Sequence, residues 1–185
     1  GFAMYQAVHS VFCAGPAPAI VAPTDVGLGP YDFDLATPGA TRTDWTFAEA
    51  GDSLGWRDMM GLHEFRVEAG AMTAVSTTHD PAFLSNRLEL RTADFAAIEV
   101  TMSLDPAPAK DDQIIVFWGT EAATIHSRSY VAQNLDQDTA EHTYRLPLAG
   151  HRFWRGLLRD LRLDPCKTAG HTVRISRIRL VPAAE

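Results

Sequence analysis

Cysteine is almost missing from this chain: 185 residues carry two, Cys13 and Cys166. That pair excludes a disulfide framework and any CxxC or metal-type spacing, leaving two thiols or one bridge from the N-terminal segment to the last loop. No apolar run approaches the ~20 residues that a membrane helix needs. A net charge of −7 argues against nucleic acid as the partner. The histidines are scattered without HxH or HExxH spacing, which argues against a zinc centre. GxSxG, P-loop and GxGxxG patterns are absent, so nothing marks the chain as an esterase, a nucleotide hydrolase or a dinucleotide enzyme. A secretory leader is not visible either. Residues 5–20 lack a charged start and are interrupted by Pro16 and Pro18, and Phe12 is too bulky to precede a lipoprotein Cys13. The opening Gly1-Phe-Ala-Met4 reads as a remnant, with native numbering beginning near Met4.

What the chain has is alternation. Residues 95–104 carry Ile98, Val100, Met102 and Leu104 on one face and Glu99, Thr101 and Ser103 on the other. That period of two is the signature of a strand with one face buried. Residues 142–148 turn Tyr144, Leu146 and Leu148 inward, and residues 127–135 read as another strand. Residues 113–119 are apolar on both faces and read as a central strand. Pro106 and Pro108 close the strand before it. In the last strand, Val173 and Ile175 share a parity that Ile178 and Leu180 break, so a β-bulge is expected near Ser176-Arg177. Helical spacing is confined to residues 153–161, where a single turn would join two strands. The expected fold is therefore all-β, an antiparallel β-sandwich. Residues 1–43, rich in Pro, Ala and Gly, are expected to form an extended arm or linker, with Tyr31–Leu35 as an edge strand. The sandwich domain is expected over residues 44–185.

Charge is unevenly spread. From Arg145 to Arg179 there are nine basic residues against Asp160 and Asp164, and before them seven basic against twenty acidic. Either basic strands lie beside acidic ones and cancel, or a basic patch suits an acidic glycan.

Several segments together resemble a known family: Trp45-Thr-Phe47 with Gly55-Trp56, Phe65 to Gly70, His79-Asp-Pro81, Ile114 to Trp118, His142-Thr-Tyr144, Trp154-Arg-Gly156, and Leu161 to Pro165 ahead of Ile175 to Leu180. In order and spacing, residues 45–181 are similar to carbohydrate-binding-module jelly rolls, the galactose-binding-like sandwiches found beside glycan-active enzymes. The resemblance implies a jelly roll, a non-catalytic role, a polysaccharide or cell-surface glycan as ligand, and a glycan-active protein as parent or partner. It also implies an extracellular or envelope location and a structural calcium ion, for which Asp105, Asp111, Asp112 and Asp164 offer oxygens.

Candidate sugar-binding residues are Trp118, Trp56, Tyr130, Arg128, Arg162, Glu99 and Thr101. Indole rings stack on apolar sugar faces, while Arg and carboxylates fork hydroxyls. Each has a structural alternative: Trp118 packing between sheets beside Ile114 and Val116, Trp56 plugging a sandwich end, the polar residues forming solvated cross-strand pairs. Trp45 and Trp154 read as core, and His79-Asp80-Pro81 as a turn. Two other functions stay open. One is a structural or interaction domain of an envelope or glycan-synthesis protein. The other is a small polysaccharide lyase using Arg162, Tyr130 and His126.

Overall fold

The computed structural model describes residues 39–68 and 70–184. The expected arm up to residue 38, its Tyr31–Leu35 strand and Cys13 lie outside the described residues. Every pairing between strands is antiparallel, in two six-stranded sheets. The strands are β1 (Asp44–Trp45), β2 (Trp56–Met60), β3 (Leu62–Glu68), β4 (Ala71–Ser76), β5 (Ala82–Ser85), β6 (Leu90–Arg91), β7 (Phe95–Asp105), β8 (Gln113–Thr120), β9 (Tyr130–Asn134), β10 (His142–Pro147), β11 (Leu157–Asp164) and β12 (Thr172–Pro182). Among the described residues the one helical element is a 3-10 turn, Thr92–Asp94. The helix-like spacing of residues 153–161 resolves into a turn, closed by Trp154 N–H on the His151 carbonyl (2.9 Å), followed by β11.

Sheet I runs β10-β7-β12-β4-β3, with β1 also on β12. Sheet II runs β2-β5-β11-β8-β9, with β6 also on β11. This is a jelly-roll β-sandwich. Each sheet is organised by one long inner strand that changes partners along one edge. β12 pairs with β4 over Thr172–Ile175 and then with β1 at Ile178 and Arg179, while its other edge follows β7 throughout. The register slips between Ile175 and Arg177, where the parity argument places the bulge. β11 does the same, pairing with β6 and then β5, with a slip against β8 between Leu158 and Asp160.

The core is the alternating inward set: Ile98, Val100, Met102 and Leu104 of β7, Ile114, Val116 and Trp118 of β8, and Val173, Ile175, Ile178 and Leu180 of β12. All four tryptophans belong to it. Trp45 meets Trp56 edge to face at 5.8 Å, and Trp118 meets Trp154 at 5.3 Å. Trp118 Nε1 donates to the Phe153 carbonyl (2.9 Å) and Trp154 Nε1 to that of Phe95 (3.2 Å), so two of the buried donors are satisfied.

Two sequence expectations change. Trp56 belongs to a strand rather than a loop. Strand β8 is internal to its sheet, but only one of its faces is sealed: Ile115 and Phe117 are half-buried on the outside.

The loop joining β11 to β12 is locked by a buried polar network. Asp112 accepts from the backbone N–H groups of Lys167 (2.5 Å) and Gln113 (2.8 Å) and from the Thr168 hydroxyl (2.6 Å). His171 bridges Thr168 (2.7 Å) and the Pro106 carbonyl (2.8 Å). Cys166 is buried beside this network, and burial pushes its thiol up to about 11, away from reactivity.

Candidate functional site

Trp118 and Trp56 are not available as platforms: each is 1% exposed, between the sheets. Burying an indole of 150–250 Å² contributes roughly 4–6 kcal/mol at about 25 cal/mol/Å². A stacking contact worth about 1 kcal/mol cannot pull it out. The remaining candidates do not form one constellation. Glu99 and Thr101 lie on the outer face of sheet I, Tyr130 and Arg162 on the outer face of sheet II, and Arg128 in the loop before β9.

On sheet I the outward residues answer one another. Glu99 accepts from Arg145 (2.5 Å) and Arg179 (2.5 Å), and Arg177 forks Asp44 through Nε (2.9 Å) and Nη2 (2.5 Å). Thr101 bonds Thr143 (2.8 Å). The Arg179 hydrogen bond holds Glu99 below the usual carboxylate range, and that of Arg177 does the same for Asp44. These pairs satisfy the polar side chains that a sugar would need.

The outer face of sheet II is built differently. Register places Arg57, Leu84, Arg162, Phe117 and Tyr130 in one row across β2, β5, β11, β8 and β9. Four inter-strand steps make the row about 19 Å long. Phe117 is its hinge. The Arg162 guanidinium lies 5.0 Å from the Phe117 ring centre, and Tyr130 tilts against the other side at 5.4 Å. Tyr130 is 43% exposed, one of two large apolar residues so open among those described. Sequence reading missed Phe117 because it sits in an apolar run; the signal was its alternation with Trp118.

Arg162 is held from below. Its Nε and Nη2 grip both oxygens of Asp164 (2.7 and 2.8 Å), and Nη2 also reaches Asp80. Thus His79-Asp80-Pro81 is both the expected turn, with Asp80 N–H on Thr78 Oγ1 (3.2 Å), and part of the site. Asp164 is 3% exposed, and its desolvation outweighs the Arg162 bonds, raising it to about 6. Two residues from Arg162 on the same face stands Asp160, raised by burial against the opposing charges of Arg159 and Arg57, with no hydrogen bond from a described residue. Its Oδ2 occupies the space over Gly119, where an added Cβ would lie 2.8 Å away.

The face thus presents an open aromatic ring, a fixed guanidinium and a carboxylate that no described donor hydrogen-bonds, the combination that suits a ring with apolar faces and hydroxyl edges. Of the four aspartates named for calcium, Asp112 is filled by protein donors and Asp164 by Arg162. Among the described residues no group of three or more His, Cys, Asp or Glu is placed to hold a metal ion.

No family model matches the chain, and no curated protein matches it in sequence. Solved structures do match in fold. A mutant of the family 29 carbohydrate-binding module CBM29-2 complexed with cellulohexaose aligns at TM-score 0.52 and 13% identity, over 74% of this chain and 89% of that one. A CBM29-2 mutant complexed with mannohexaose aligns at TM-score 0.52 and 14% identity, over 77% and 92%. A third CBM29-2 mutant aligns at TM-score 0.51 and 14% identity, over 75% and 91%. At such identity the likeness is one of fold, the jelly-roll β-sandwich.

Proposed function

We propose that this protein is a non-catalytic carbohydrate-binding module that holds a polysaccharide or cell-surface glycan across the outer face of sheet II. The observation that carries the reading is the Arg162–Phe117–Tyr130 ladder, open at Tyr130 and flanked by the Asp160 carboxylate, which no described donor hydrogen-bonds. A sugar ring stacks on Tyr130, Arg162 donates to hydroxyl or ring oxygens, and Asp160 accepts from hydroxyls. Arg162 gains specificity from being fixed, because a guanidinium clamped by Asp164 and Asp80 loses little freedom when it binds.

Binding without cleavage fits how the acids are held: the close pair, Asp80 and Asp164, is taken up by Arg162, and the remaining acid on this face is distant. Asp160 and Asp164 stand four residues apart on one strand, about 13 Å. Glycosidase carboxylates stand roughly 5–9.5 Å apart. A lyase needs its cation and base at one sugar, but Phe117 separates Arg162 from Tyr130, and His126 belongs to the loop before β9. The cellulohexaose and mannohexaose complexes of fold neighbours agree with an extended chain as ligand. An extracellular or envelope setting and a glycan-active protein as parent or partner follow from the same proposal.

Affinity electrophoresis through gels containing glucans, mannans or polyuronates tests it. Retardation is expected in at least one, and Tyr130→Ala is expected to lose it while keeping the wild-type melting temperature. Free migration of the wild type in every gel overturns the proposal.

A further inference from the structure

Arginines on this sandwich are mostly matched by carboxylates: Arg66 by Glu64 and Glu68, Arg91 by Asp94, Arg145 and Arg179 by Glu99, Arg159 by Glu89, Arg162 by Asp164 and Asp80, Arg174 by Glu141, and Arg177 by Asp44. The basic excess of residues 145–179 is therefore largely neutralised in place. Three of the arginines outside these pairs gather at one end of the sandwich, on the loops of residues 121–129 and 149–156. There Arg128, Arg152 and Arg155 are exposed, and no described carboxylate pairs with them. Glu121 lies beside Gly156 yet engages none of the three.

These loops enclose a pocket of about 200 Å³ with Trp118, Phe153, His126, Ser129 and Arg155 in its lining. Its walls are aromatic: His126 stands edge-on to Phe153 at 5.0 Å, with Trp118 beneath. The Arg128 backbone N–H donates to His126 Nδ1 (3.2 Å), which puts the ring proton on Nε2, where no described residue accepts it. Arg152 caps the outer side of Phe153 at 4.3 Å from the ring centre.

We propose that this pocket is a second saccharide site, separate from the sheet II face and selective for a single acidic sugar unit. Its volume suits one ring rather than a chain. Phe153 supplies apolar wall for the ring, with the buried Trp118 as the floor beneath it, and the Nε2 proton of His126 is a hydroxyl donor. The guanidinium of Arg155, with Arg128 and Arg152 adding to the field, takes the ring's acidic group by charge-assisted hydrogen bonds. A neutral sugar leaves Arg155 unengaged, and a bare anion leaves the aromatic walls uncovered, so both bind more weakly.

The test is titration of the isotopically labelled protein with glucuronic acid, glucose and acetate, following the Trp118 indole N–H and the His126 amide by NMR. Saturable shifts at both are expected with glucuronic acid, with glucose and acetate at least about tenfold weaker. Arg155→Ala, at an exposed and unpaired position, is expected to fold normally and to lose at least about tenfold in glucuronic acid affinity while keeping polysaccharide retardation by the sheet II face. Glucose or acetate equalling glucuronic acid, undiminished binding by Arg155→Ala, or no shift at Trp118 at tens of millimolar overturns the proposal. Tyr130→Ala separates the two sites, because it removes retardation and leaves these shifts in place.

Discussion

The two outer faces of the sandwich are built from the same residue types and behave in opposite ways. On sheet I, Glu99 and Asp44 lie where arginine contacts outweigh desolvation, and both are drawn below the ordinary carboxylate range. On sheet II, Asp164 and Asp160 lie where desolvation wins, and both are pushed above it. A face that settles its charges internally is finished and has little to offer a ligand. A face that leaves an acid desolvated and a ring uncovered gains when a polar ring arrives. Composition is thus a poor guide to function on a sheet surface; the balance between pairing and burial is the better one.

The largest break in this comparison is expected from removing one arginine on each side. Arg162→Ala strands Asp164 in the buried layer and is expected to cost about 3–5 kcal/mol in urea unfolding at pH 7. Arg145→Ala removes an exposed partner of Glu99 and is expected to cost no more than about 1 kcal/mol. Equal losses would mean that the faces differ only in appearance. Next comes binding. Tyr130→Ala is expected to weaken polysaccharide affinity by about 1–2 kcal/mol, roughly 5- to 30-fold, by calorimetry. The matched change Thr101→Ala on sheet I is expected to leave affinity unchanged.

A finer effect is expected from pH. Carbon-detected NMR is expected to place the Asp164 titration at about 6 and that of Glu99 below its ordinary range. The signs then oppose each other. Glu99 and Asp44 contribute stability that is present at neutral pH and lost as pH falls through their lowered values. Asp164 holds its proton more tightly folded than unfolded, so its contribution falls as pH rises from about 4 to about 6. Because protonated Asp164 loosens its grip on Arg162, polysaccharide retardation is expected to be weaker at pH 5 than at pH 7. An Asp164 titration at or below the ordinary value would erase the contrast between the faces.

Much of the fold could be read from alternation. Tyr144, Leu146 and Leu148 are inward, Ile98 to Leu104 line the core, and even the slip beside Ser176 followed from parity. The site was harder because parity says which residues point outward, not on which sheet. Glu99 and Arg162 both read as outward, yet β7 lies between β10 and β12 while β11 lies between β5 and β8, so they face away from each other. That order is set by pairings between strands far apart in sequence. Phe117 was hidden for a related reason: an apolar run looks sealed on both faces unless one knows that the neighbouring strands bring Arg162 and Tyr130 to one of them. The short strands β2 and β5 gave too few residues to show a period.

Strand β12 also carries a consequence for how the molecule is made. It inserts between β4 and β7, which have no pairing with each other, and it alone receives β1. Until residues 172–182 have left the ribosome, β3–β4 and β10–β7 are two separate ribbons, each with an open hydrogen-bonding edge and an uncovered apolar side. Assembly of sheet I therefore waits for β12, and a nascent chain stopped short of Thr172 presents sticky edges to its neighbours rather than a partial sandwich.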